Sequence, residues 1–191
     1  EKLGDVLALH NLQLSGGALN YDNLVEQWIG AARRQREAAP DVQRERLQLA
    51  LKVQWQKSGV SMGDFPGIGV SLAGNEVRVT DSGDTGVASL PKDSRFHTTF
   101  NRTEGSKKVQ LILHAISYLS ERNPSPVALD CEGRAGVWCT FAAAISPVKT
   151  TLTRNAANFA GSDEDFLRNF FVPGIQRAGG WAAAVKLANG K

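Results

Sequence analysis

Residues 127–136, VALDCEGRAG, constrain this chain more than any other stretch. A short apolar run ends in a cluster of small and turn-forming residues, and an Ala-rich apolar segment, GVWCTFAAAI, begins at once. The chain has no room for a loop there, so an extended strand must pass into a helix through one tight turn. Such a turn needs a residue that accepts positive φ without steric cost, and Gly133 stands at its apex. The layout is that of a nucleophile elbow, the strand-to-helix turn of pattern small–x–nucleophile–x–small. Cys131 takes the first small position, Glu132 the next, Gly133 the nucleophile slot, Arg134 the one after, and Ala135 and Gly136 the trailing small positions. Glycine has no side chain, so the stretch argues for a fold and against the chemistry that usually accompanies it. An ordinary strand-to-helix turn with a glycine at its tight point fits the same residues.

Hydrophobic periodicity orders the rest of the chain around this turn. Residues 105–122 carry Val109, Ile112, Ala115, Ile116 and Leu119 on one face, which predicts a helix ended by Pro124 and Pro126. EVRVT at 76–80 alternates apolar and polar residues and reads as a strand, as does VKTTL at 148–152. Residues 163–172 read as a short amphipathic helix broken by Pro173 and Gly174, and 179–187 as a final helix. Upstream, 22–38 with Asp22 as N-cap and a restart at Pro40-Asp41 predict two helices in a hairpin, the second with Val42, Leu47, Ala50, Leu51 and Trp55 inward. Residues 57–75 are rich in Gly, Ser and Pro and read as a loop or linker. The expected organisation is an N-terminal helical segment over 1–56, the linker, and an α/β core over 76–191 whose strands are parallel and joined by crossover helices.

Several ordered blocks then resemble a known family. The run HTTFNRTEGSKKVQLILHAISYLSERNPSPVALDCEGRAGVWCTFAAAISP at 97–147, followed by DEDFLRNFFVPGIQRAGGWAAAVKLA at 163–188, is similar to the acetyl-xylan-esterase-like branch of the α/β-hydrolase family. VRVTDSGDTG at 77–86 resembles the strand of that family that carries an Asp and a following Gly. The resemblance spans about residues 76–190. It implies a partial α/β-hydrolase-like parallel sheet with flanking helices, and an esterase-type hydrolase acting on an acylated carbohydrate or a small-molecule ester.

The departures bear on activity. A hydrolase of this family uses Ser, then an acid, then His, in chain order. Gly133 replaces the Ser, no HGGG-type oxyanion loop is present, and the histidines, His10, His97 and His114, all precede the turn. The expectation is therefore a non-catalytic domain with a degenerate elbow. Its ligand would sit at Glu132, Gly133 and Arg134, where the turn opens a helix N-terminus able to hold an anion. The alternative is an active carboxylic-ester hydrolase with a non-standard nucleophile or with triad members outside this chain. Cys131 is the nearest nucleophilic side chain for that reading, with His97 or His114 as its base.

Other signals are weaker. Asp81-Ser82-Gly83 and Asp84-Thr85-Gly86 both spell an aspartic-protease triplet. Two copies so close in sequence cannot come from separate lobes, so they read as a polar turn. Asn101-Arg102-Thr103 matches a glycosylation sequon, and Trp28 and Trp55 could mark the helical hairpin as an association element. Cys131 and Cys139 lie at a strand end and two turns into a helix, a placement that looks awkward for a disulfide, so free buried thiols are expected. No Cys/His cluster has metal-ligand spacing and no cofactor motif is present.

Composition excludes some classes. The net charge of +3, from 22 basic and 19 acidic residues, gives no basis for nucleic-acid binding. No apolar run is long enough to span a bilayer. The chain starts at Glu1 rather than Met, which leaves open a removed signal segment and with it a secreted or periplasmic location.

Overall fold

The computed structural model describes residues 39–56, 68–81, 102–155 and 159–190. The chain forms two compact units, Glu1–Val42 and Gln43–Lys191, and nearly everything described lies in the second. Its elements in chain order are α1 (Pro40–Leu51), β1 (Ile68–Ala73), β2 (Glu76–Asp81), α2 (Glu104–Arg122), β3 (Val127–Glu132), α3 (Ala135–Ile145), β4 (Thr150–Asn155), α4 (Asp163–Asn169) and α5 (Gly180–Asn189). The first of the two expected N-terminal helices, over 22–38, lies outside the described residues, as does Trp28.

The four strands form one sheet in the order β1-β2-β3-β4. β2, β3 and β4 are parallel, with Leu129 opposite Val77 on one side and Leu152 on the other. β1 is antiparallel to β2, so the all-parallel sheet expected from the sequence is corrected to a mixed α/β sheet. The added strand falls inside the stretch read as a loop. Ile68, Val70 and Leu72 alternate with the small residues Gly69, Ser71 and Ala73, and Gly74-Asn75 closes the hairpin. Gly74 has φ +60, the positive backbone angle that a two-residue hairpin turn requires.

Alternation along the strands gives the sheet one buried face. Val77 and Val79 of β2 and Val127, Leu129 and Cys131 of β3 are buried, while Arg78, Thr80, Glu132, Thr151 and Thr153 are exposed. On the outer face Arg78 meets Glu76 at 2.5 Å and Asp130 at 3.7 Å. Both crossover helices cover the inner face, where α2 and α3 pack against each other and against the strands. Right-handed crossovers require this placement when successive strands are added in one direction.

α2 starts on Thr103, whose hydroxyl accepts the Ser106 N–H, and carries Glu104 in its first turn and Arg122 in its last, both suited to the helix dipole. All eleven residues of α3 are buried because β3, β4, α2 and α5 surround it. Its buried Thr140 hydroxyl is satisfied by the Gly136 carbonyl at 2.7 Å. α4 begins with a capping box formed by Ser162 and Asp165. Phe141 of α3 stacks on Phe170 at 4.8 Å, and Phe159, Phe166 and Trp181 complete the aromatic layer between α3, α4 and α5.

α1 differs from its sequence reading at one position. Gln43, not Val42, points inward with Leu47 and Leu51, and Val42 is 43% exposed. The Gln43 amide donates to the carbonyl of Ala178, ahead of α5. A buried hydrogen bond thus fixes the helix phase where the apolar count favoured its neighbour. Trp55 packs, partly buried, against the core.

Candidate functional site

The turn read from the sequence is present. β3 ends at Glu132, Gly133 adopts φ +57, and α3 begins at Ala135. The first turn of the helix closes tightly, with Gly136 N–H on the Gly133 carbonyl at 3.2 Å and Val137 N–H on the Arg134 carbonyl at 3.0 Å. Arg134 occupies the N-cap in a helical conformation, and its side chain makes no capping bond. A β-carbon placed on Gly133 would meet no heavy atom within 4 Å among the described residues. Among the described residues the apex is therefore open, and its backbone has the left-handed conformation that an L-residue adopts only under strain.

The Arg134 side chain turns to the neighbouring strand. Its Nε lies 2.8 Å from Oδ2 of Asp81, the last residue of β2. The other carboxylate oxygen lies 3.4 Å from Nζ of Lys108 on α2. Asp81 and Lys108 are each 2% exposed at the side chain, so this is a buried ion pair. Lys108 Nζ also sits 4.1 Å from the centre of the Trp138 ring, whose face attracts a cation. Trp138 is fully buried, and its indole N–H has no hydrogen-bond partner among the described residues. Burial pushes the Lys108 ammonium below its ordinary pKa, and Asp81 works against that shift.

Reading by periodicity missed this pair, although the signal was present. Asp81 continues the inward phase of Val77 and Val79, and Lys108 lies on the stripe of Ile112, Ala115 and Leu119. A charge in the apolar phase of two adjacent elements marks a buried pair, because neither charge can be buried alone.

The cysteines require a correction. Cys131 and Cys139 are not free thiols but form a disulfide, with their α-carbons 6.6 Å apart. The placement is not awkward, because α3 folds back along β3. Cys139 is the fifth residue of the helix and so lies roughly 6 Å down its axis, level with the end of the strand. Cys131 is 1% exposed and Cys139 is fully buried. As a disulfide, Cys131 presents no thiolate, so the structure does not offer it as the nucleophile of the alternative esterase reading.

The remaining candidates separate. Glu132 is exposed at the end of β3, beside Gly133. His114 lies within α2, where Gln110 Nε2 meets its Nε2 at 2.9 Å. Gln110 also brackets the backbone of Gln54, taking its N–H and donating to its carbonyl, both at 2.8 Å. Burial, followed by the charge of Arg102, lowers the His114 pKa, which favours the neutral ring that can accept from Gln110. Gln110 thus joins α2 to the segment after α1, and His114 lies one turn along the same helix as its neighbour. His97, Asn101 and the residues following Asp81 in the two protease-like triplets lie outside the described residues. Among the described residues, no group of His, Cys, Asp and Glu could hold a metal ion, and no helix is long and apolar enough to cross a membrane. No protein-family model, curated protein or solved structure matches this chain.

Proposed function

We propose that this chain is a non-catalytic α/β-hydrolase-type domain, akin to carbohydrate and acetyl esterases, whose elbow is a ligand platform without a nucleophile. The observation that carries the reading is Gly133: φ +57, with open space where a side chain would stand, at the carboxyl end of a parallel strand. A nucleophile elbow holds its reactive residue in this strained conformation. Here the conformation is kept and the reactive group is missing. The nearby sulfur of Cys131 is bonded to Cys139. The surroundings suit a carbonyl or carboxylate oxygen of a small or acylated-carbohydrate ligand. The start of α3 supplies the positive end of the helix dipole, with the Gly136 and Val137 N–H groups bonded within the first turn, and Arg134 adds a partly exposed guanidinium.

Hydrolysis of p-nitrophenyl acetate tests the proposal. The purified chain should release p-nitrophenolate no faster than a Gly133→Trp variant, in which the apex is filled. Turnover clearly above that variant would overturn the non-catalytic reading in favour of an active ester hydrolase.

A further inference from the structure

The disulfide at the elbow bears on how this chain is made. Cys131 and Cys139 belong to the hydrophobic core, at 1% and 0% exposure. Thiol–disulfide exchange requires a thiolate to reach one of the two sulfurs. α3 is buried along its whole length, so that approach demands opening of the core rather than movement of a surface loop. These 191 residues hold no other cysteine, so among them oxidation has a single intramolecular product. The bond also encloses Gly133, tying the strand before the turn to the second turn of the helix after it.

We infer that the Cys131–Cys139 bond is a maturation step and not a switch: it forms while the chain folds, in a compartment that oxidises dithiols, and is then sealed in the core. In that step each thiol gives up a proton, and two electrons pass to the disulfide of a carrier oxidoreductase, which leaves as a dithiol. Reducing compartments keep such pairs as thiols, so this chain completes its fold outside them. The inference does not depend on the esterase-like reading of the elbow and would survive its failure.

The experiment uses the full chain produced in parallel in an oxidising and in a reducing compartment of the same host. Intact mass of the denatured, unreduced protein is recorded after iodoacetamide treatment. The oxidising product should take no label and weigh two hydrogens less than its reduced form. The reducing product should take two labels, and it should melt at a lower temperature or collect as insoluble material. The oxidising product is then exposed to dithiothreitol, folded and in denaturant, and samples taken over time are quenched into denaturant with excess iodoacetamide. Labelling of the folded chain should be more than about tenfold slower, because the core must open first. Three results would each overturn the inference. The first is full formation of the bond in the reducing compartment. The second is a thiol form equal to the oxidised one in stability and solubility. The third is reduction of the folded chain within about tenfold of the denatured rate, which would make the bond a reachable switch.

Discussion

Replacing Asp81 by Asn should destabilise the protein strongly at neutral pH and much less in mild alkali. Asp81 and Lys108 are each 2% exposed, so the substitution leaves a buried ammonium facing Arg134, with Glu104 as a more distant counter-charge. Removing one partner of a buried pair costs about 3–5 kcal/mol. Arg134 is 43% exposed, and the loss of its contact adds at most about 1 kcal/mol. The cost also has a ceiling, because Lys108 can escape by giving up its proton. From its ordinary value of 10.5 this costs about 4.8 kcal/mol at pH 7 and about 2 kcal/mol at pH 9, at roughly 1.36 kcal/mol per unit. The sign follows from linkage. Burial already lowers the folded-state pKa of Lys108, so between that value and 10.5 the unfolded chain holds more protons and stability rises with pH. Without Asp81 the folded value falls further, and the rise begins at lower pH. Urea denaturation of the parent, Asp81→Asn and Asp81→Asn/Lys108→Met at pH 7 and pH 9 measures this. The single variant should lose about 3–5 kcal/mol at pH 7 and no more than about 3 at pH 9. The double variant should recover most of the loss at both. A loss below about 1 kcal/mol at pH 7, or one unchanged at pH 9, would refute the reasoning.

Glycine positions separate strain from collision. Gly133→Ser and Gly133→Ala should each cost about 1–2 kcal/mol in thermal melts, the left-handed strain alone, because the apex is open. Gly161→Ala should cost clearly more, because its β-carbon would run into Trp181 in addition to the strain at φ +78. A Cys131→Ala/Cys139→Ala variant loses a cross-link between residues eight apart in sequence, worth about 2.5 kcal/mol by loop-closure entropy, measurable in urea. On α1, Leu47→Ala should cost about 2–5 kcal/mol, whereas Val42→Ser should stay within about 0.5. Equal effects at these two positions would contradict the observed helix phase.

Elements with a strong period were legible before the structure. α2, β2 and α5 lie where their apolar spacing put them, and Gly133 marks the turn between β3 and α3. β1 was not read, because its polar-phase residues are Gly69, Ser71 and Ala73, which score as loop residues although Ile68, Val70 and Leu72 keep a strand period. Strand direction was also hidden. Periodicity is the same for parallel and antiparallel pairs, and only the two-residue Gly74-Asn75 connection forces β1 and β2 to run oppositely. The phase of α1 followed a hydrogen bond to Ala178, more than a hundred residues away, which no local pattern records. At the turn, the motif marks the positions of Gly133 and Arg134, whereas the Asp81–Lys108 pair is legible only when the apolar phases of two elements are compared with each other. The disulfide is not legible from the placement of Cys131 at a strand end and Cys139 two turns into a helix, because only the fold of the elbow shows that the helix returns alongside the strand.

The alternation along β3 gives the disulfide a further consequence. The strand carries two interleaved sets of residues: Val127, Leu129 and Cys131 face the helices, and Ala128, Asp130 and Glu132 face away. A slip of one residue exchanges the sets. It would bring Asp130 and Glu132 toward α3 and carry the sulfur of Cys131 to the outer surface, beyond reach of Cys139. The bond is incompatible with such a slip, so it pins which face of the central strand meets the helices.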